Sequence, residues 1–373
     1  MRKNFLPSLR QLACVLTLAA SSVTAAAQLP TPTPLAVAAG PLGGVQVSGV
    51  VSGAALTAAP QLAGAGGGLN LTNAFVILQR PTGTWRFYLQ AGAYSLPALG
   101  APRRSTLAYT GLFGPAPQAY AEWKGGRDWS LRAGILPTMI GQEDTFTFLN
   151  LNIERGVIWN DMENAVSRGA QFNYHRGRWS AALQYGDGFF SGDYGAVSAM
   201  GSYQLTGQDS ISLVGLWPNR ATPPNATFQD ANARLLDLMY THTGKRWTWE
   251  PYLLAFSSPA SRSLGYQRTA SAVGAAVLAD YHWSRRWSLA ARGEFAMGGG
   301  AGDLSAHQNI LGFGPAARVL TFTVTPTWQD GGLFARADVS WVDLAQFTSG
   351  LGFGAQGRDG GQFCAAVEAG VAF

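Results

Sequence analysis

The sequence predicts a closed, antiparallel, up-and-down transmembrane β-barrel of about 16 strands, with roughly 14–18 compatible with the spacing. Three observations carry that prediction. Apolar and polar residues alternate over stretches of about ten residues, the period of a strand with one oily and one wet face. Short polar turns recur at intervals of roughly 30 to 50 residues, the length of a hairpin plus a longer loop, and most run straight into a tryptophan. Charged residues make up 13% of the chain against 47% hydrophobic, where a soluble domain carries roughly 25% charged residues.

The chain of 373 residues begins with Met1-Arg2-Lys3 and Arg10, a short apolar run from Leu12 to Ala20, and Ala25-Ala26-Ala27. That order is the pattern of a secretory signal peptide over residues 1–27. The apolar run falls far short of the roughly 20 residues a membrane helix needs. Cleavage would remove Arg2, Lys3 and Arg10, so the formal charge of +5 falls by three to +2. The charge then suggests no concentrated basic surface, and nucleic acid is not an expected partner. Cleavage would also leave Cys364 as the sole cysteine, which excludes an internal disulfide and a cysteine-built metal site. No cofactor or metal is expected. Residues 28–44 read as a proline-rich leader and residues 45–373 as the barrel. No later stretch has the length and polarity of a membrane helix, so an exported chain of this kind is periplasmic, secreted or an outer-membrane barrel.

The turns PTGTW (81–85), GGRDW (125–129), RGRW (176–179), TGQDS (206–210), TGKRW (243–247), WSRRW (283–287) and QDGGLF (329–334) each join two strands. Val45–Thr57 and Gln362–Phe373 add one strand at either end. The intervening segments 58–71, 94–115, 137–167, 187–194, 218–231, 258–268, 297–315 and 344–361 then fall on the opposite rim. Short turns on one side and long loops on the other are the periplasmic and extracellular ends of such a barrel. In LFARADVSW the set Leu333, Ala335, Ala337, Val339 and Trp341 opposes Arg336, Asp338 and Ser340. Trp85, Trp129, Trp179, Trp247, Trp287 and Trp328 sit on the apolar face beside the turns. Rings held at one height form an aromatic girdle where lipid meets water, whereas a soluble sandwich has no reason to align them. The small outward set Val273, Ala275, Val277 and Ala279 suits either lipid or the interface of a homotrimer. The closing alternation from Phe363 to Phe373 looks like the C-terminal signal by which outer-membrane barrels are recognised by their assembly machinery.

AGILPTMIGQED (Ala133–Asp144) and LQYGDGFF (Leu183–Phe190) resemble bacterial porins, and more narrowly the OmpL-like β-barrel porins, with the likeness fullest from about Arg127 to Gly207. Asp187-Gly188-Phe189 stands where that group usually reads Asn-Gly-Trp, and the lysine often found before the proline is absent. The resemblance implies a bacterial outer-membrane protein that passes small hydrophilic solutes or ions passively, and it does not fix the solute. A substrate-specific barrel transporter stays open, as does a barrel enzyme of phospholipase or protease type. The enzyme would need a nucleophile or paired acids with a histidine at one barrel end, and none of His175, His242, His282 and His307 stands out with such partners. Gly352–Gly357 spells G-x-G-x-x-G, but no helix pattern follows it, so no dinucleotide site is expected.

Arg86, Arg132, Arg292, Glu294, Arg336 and Asp338 share the polar face of their strands. An arginine on the lipid side near the midplane costs roughly 2–4 kcal/mol, so these residues are expected to line the lumen. The third long segment, 137–167, carries Glu143, Asp144, Glu154, Asp161 and Glu163 against the single Arg155. It also carries Phe146, Phe148, Leu149, Leu151, Ile153 and Trp159, which an exposed loop would not favour. In the general porins this layout resembles, the third loop folds inward and narrows the pore. The expectation is a constriction loop whose carboxylates face wall arginines. An extracellular lid or intersubunit loop, and charges that merely pair to fill the barrel, are the competing readings.

Overall fold

The computed structural model describes Leu29 and residues 33–62, 67–219, 233–261, 264–300 and 308–373. The signal-peptide reading and His307 lie outside these described residues. A short β1 (Leu35–Ala38) precedes β2 (Gly44–Ala59), β3 (Gly68–Arg80), β4 (Trp85–Tyr94), β5 (Gln118–Trp123), β6 (Trp129–Pro137), β7 (Val166–Arg176), β8 (Trp179–Gly186) and β9 (Ala196–Gln204). Then come β10 (Asp209–Pro218), β11 (Arg234–Thr243), β12 (Trp247–Ser258), β13 (Ala270–His282), β14 (Trp287–Gly298), β15 (Arg318–Asp330), β16 (Leu333–Ala345) and β17 (Gly361–Ala372). From β2 onward each strand pairs antiparallel with the next, and β17 pairs back onto β2 from Phe363↔Ala59 to Ala372↔Val50. The result is a closed barrel of 16 strands. Closure leaves no strand edge exposed to lipid, where an unpaired backbone group costs several kcal/mol.

Every turn expected from the sequence joins a hairpin, and the strand ends that lead into the long connections lie together at the opposite rim. Alternation fixes the faces. On β14, Trp287, Leu289 and Phe295 are exposed outward, while Ala290, Arg292, Glu294 and Ala296 are buried inward. A one-residue slip of register would exchange these two sets, so the burial pattern holds the register. Rings beside the turns meet as neighbouring strands bring them together. Trp287 stands opposite Trp328, Trp85 and Trp123 lie 6.4 Å apart, Trp179 meets Tyr203 at 4.5 Å, and Trp247 meets Tyr281 at 4.4 Å. Trp129 packs edge-on to Trp123 at 5.2 Å.

The seam depends on the last residue. Phe373 and Gly49 exchange backbone hydrogen bonds of 2.8 and 2.9 Å, and the Phe373 ring so crowds Gly49 that a Cβ there would lie 2.6 Å from it. The leader differs from a free linker. β1 pairs with Gly44–Val47, the part of β2 that extends beyond the end of β17, and Leu29 is buried against the short-turn side of the barrel, lining a cavity with Asp280, His282 and Trp287. Proline-rich composition gave no sign of this docking.

Candidate functional site

The connection between β6 and β7 folds into the barrel, and its apolar side chains explain why. Phe146, Phe148, Leu151, Ile153, Val157, Ile158, Trp159 and Met162 are all buried, each worth roughly 1.5–3 kcal/mol relative to exposure. Phe146 meets Phe75 on β3 edge-on at 4.9 Å and Tyr94 on β4 at 5.4 Å. Further along, α2 (Val157–Met162) rests against β13 and β14. Gly156 opens this helix because no side chain fits there: a Cβ would come within 1.8 Å of Glu294 Oε1.

Polar groups of the wall grip the loop backbone. Asp237 accepts a hydrogen bond from Gly141 N–H at 2.8 Å, and Asp338 Oδ2 accepts from Ile153 and Glu154 N–H, both at 2.8 Å. Glu294 accepts from the first helical amides, Val157 at 3.2 Å and Ile158 at 3.3 Å, groups that have no partner within a helix. Arg336 donates to the carbonyls of Asn150 at 2.8 Å and Thr147 at 2.6 Å while paired with Glu368 at 2.6 Å. Arg292 donates to Glu143 at 2.5 Å and to the Glu154 carbonyl at 2.8 Å. Within the loop, Arg155 donates to the carbonyls of Pro97 and Thr145 and lies over the Trp159 ring at 4.8 Å. It thereby ties this loop to the preceding long one.

The sequence-predicted residues therefore fall into two groups. Glu143, Glu154, Arg292, Glu294, Arg336 and Asp338 come together but are sealed from solvent, because the loop that contacts them also excludes water. They hold the loop instead of presenting charge to an open surface. Arg86 and Arg132 lie on the flank the loop leaves uncovered, 23% and 11% exposed, and both pair with Glu122, at 3.5 and 2.7 Å. Gln46, Gln79, Tyr88 and Tyr120 on the same flank are also partly exposed. Asp144 is half-buried and within Coulombic reach of Tyr88 on this flank. Asp161 lines a cavity of about 350 Å³ on the long-loop side, whereas Glu163, which also borders that cavity, packs its carboxyl against Gly141 beside Asp237 and Tyr252. Loss of solvent pushes the Glu154 carboxyl up to about 7, against the pull of Arg103, and that of Asp144 up to about 6.

Sequence reasoning missed Glu122, Asp237 and Asp280. Strand parity could have found Asp237, since Leu236 and Leu238 flank it outward. Nothing local signals that Asp237 meets a loop amide 96 positions away. Among the described residues, eleven carboxylates but only three arginines are buried, although the whole chain is formally positive. The positive charge lies at the rims, on exposed turn residues such as Arg127, Arg178, Lys245 and Arg285.

The sequence model of a family described as "Putative beta-barrel porin-2, OmpL-like" matches residues 44–373, the whole barrel. The chain belongs to that family. It is a porin-type barrel of the bacterial outer membrane. Among solved structures, the outer-membrane channel DcaP of Acinetobacter baumannii superposes with a TM-score of 0.58 at 11% identity, over 88% of this chain and 97% of that one. An anion-selective porin from Comamonas acidovorans gives 0.57 at 11% identity, over 88% and 99% of the two chains. A trimer form of OmpT from Vibrio cholerae gives 0.56 at 8% identity, over 88% and 99%. At such identities the likeness is one of fold. No curated protein matches this porin-family chain.

Proposed function

We propose that this porin is a water-filled channel for passive diffusion of small hydrophilic solutes and ions, narrowed by the loop 138–165 and favouring cations. Eleven buried carboxylates face the three buried arginines and the partly exposed Arg86, Arg103, Arg132 and Arg168. This excess carries the cation preference, because charge held in a low-dielectric wall acts strongly on a passing ion. The uncovered flank with Arg86 on β4 and Arg132 on β6 supports a path beside the loop, opposite the six buried carboxylates of β11–β17, among which Arg292 and Arg336 also stand. Family and fold favour a channel over an enzyme, and we read the charged residues as electrostatic and not catalytic.

Outside, a shallow apolar groove of about 690 Å³ runs past Leu238, Leu253, Ala275, Val277, Phe295 and Phe322, a surface suited to a neighbouring subunit of a homotrimer. The Phe373 seam contact suits recognition by the barrel-assembly machinery.

Replacing Glu143, Asp144 and Glu154 by Gln, Asn and Gln is expected to lower the cation-to-anion permeability ratio by roughly two- to fivefold, read as a shifted reversal potential in a planar bilayer under a KCl gradient. Because Asp144 and Glu154 take up protons as pH falls through about 6 and 7, the unaltered channel should lose part of its preference in the same direction between pH 8 and pH 5. An unchanged reversal potential in both cases would sink the reading.

A further inference from the structure

We propose that the cavity on the long-loop side is a binding site for a small organic cation that carries an aromatic or aliphatic body and an oxygen acceptor. This rests on the channel reading and names a solute class for it. The cavity has a volume of about 350 Å³, enough for an amine of amino-acid size. It is bounded by α1 (Thr106–Phe113), α2, and the segments that carry Phe189, Phe256 and Ile310.

Three features define what fits. The walls are aromatic: Tyr109, Phe113, Phe189 and Phe256 line the space together with Trp159, one face of which Arg155 already covers, and ring faces attract a cation that has left water. The same lining holds the carboxylate of Asp161, while its one cationic side chain, Arg104, is exposed. Asp161 is only half-buried and takes a hydrogen bond from Asn160 at 2.6 Å, so it is placed to meet an ammonium group at the cavity. Finally, the Trp159 indole N–H, more than nine-tenths buried, has no acceptor among the described residues. A buried donor without a partner is unfavourable by roughly 1–3 kcal/mol, and a carbonyl or hydroxyl oxygen on the solute would relieve it. An anion would face the Asp161 carboxylate here, and a metal ion, more strongly hydrated than an organic ammonium, would gain less from the aromatic walls. Deeper in, the carboxylate excess of the clamp continues the same attraction.

Three probes of one shape separate these contributions: phenylalaninamide (cationic), N-acetylphenylalaninamide (neutral) and N-acetylphenylalanine (anionic). Titration calorimetry on the detergent-solubilised full chain should show phenylalaninamide binding at least about tenfold more tightly than either of the others. Asp161→Asn should weaken it by roughly tenfold, and Tyr109→Leu should weaken it by a smaller factor. Equal binding of all three probes, or binding untouched by both substitutions, would overturn the inference. Heat-modifiable gel mobility confirms that each variant is folded, and the two substitutions lie on different elements, so one misfolded variant leaves the other decisive. Binding without ion conductance would overturn the channel reading alone, and conductance without binding would overturn this inference alone.

Discussion

Replacing residues 144–160 by a flexible Gly-Ser linker of about eight residues is expected to raise single-channel conductance several-fold. The deleted stretch holds Phe146, Phe148, Leu151, Ile153, Val157, Ile158 and Trp159, all buried inside the barrel. The strands and their ladder are untouched by the deletion, so the barrel should still show heat-modifiable mobility on a gel. Arg292, Arg336, Glu294 and Asp338 would lose the loop groups they now contact and meet water instead, which charged side chains tolerate well. A 16-stranded barrel without its inward loop has room for an aqueous channel. Conductance unchanged by the deletion would mean that the loop does not limit the path.

The second large effect falls on stability. Arg292 is fully buried and lies 2.5 Å from Glu143 and 3.5 Å from Glu294. Arg292→Met keeps much of the volume but strands two buried carboxylates without a countercharge. Removing one member of a buried ion pair typically costs about 3–5 kcal/mol, and thermal unfolding in detergent should show a loss of that size. Adding Glu143→Gln and Glu294→Gln to the same chain should recover most of it, because neutral amides can stay buried when hydrogen-bonded. A loss below about 1 kcal/mol, the worth of a solvated pair, would place Arg292 in a wet lumen.

That contrast marks what the sequence could tell. Strands, turns and the aromatic rings beside them were legible because each leaves a local trace: a period of two, a Gly or charged turn, and a tryptophan just after it. Parity also placed Arg292, Glu294, Arg336 and Asp338 on the inward face. Parity does not report whether an inward charge is wet, and here the answer comes from a loop about 130 to 190 positions away. The loop's own apolar residues hinted at inward folding. Its anchoring by backbone groups did not show, since an amide of Gly141 or Ile153 looks like any other in a sequence. Asp161 was grouped with Glu143 and the remaining loop acids by proximity in the chain. Only the fold separates them, because α2 turns Asp161 toward the outer cavity while Glu143 stays at the clamp.

The most direct test of the account is the current through the purified, unaltered chain in a planar bilayer separating concentrated from dilute KCl at pH 8. The carboxylate-rich interior predicts discrete conductance steps with a reversal potential on the potassium side. A reversal potential on the chloride side, or no conductance from protein that is folded on a gel, would contradict it.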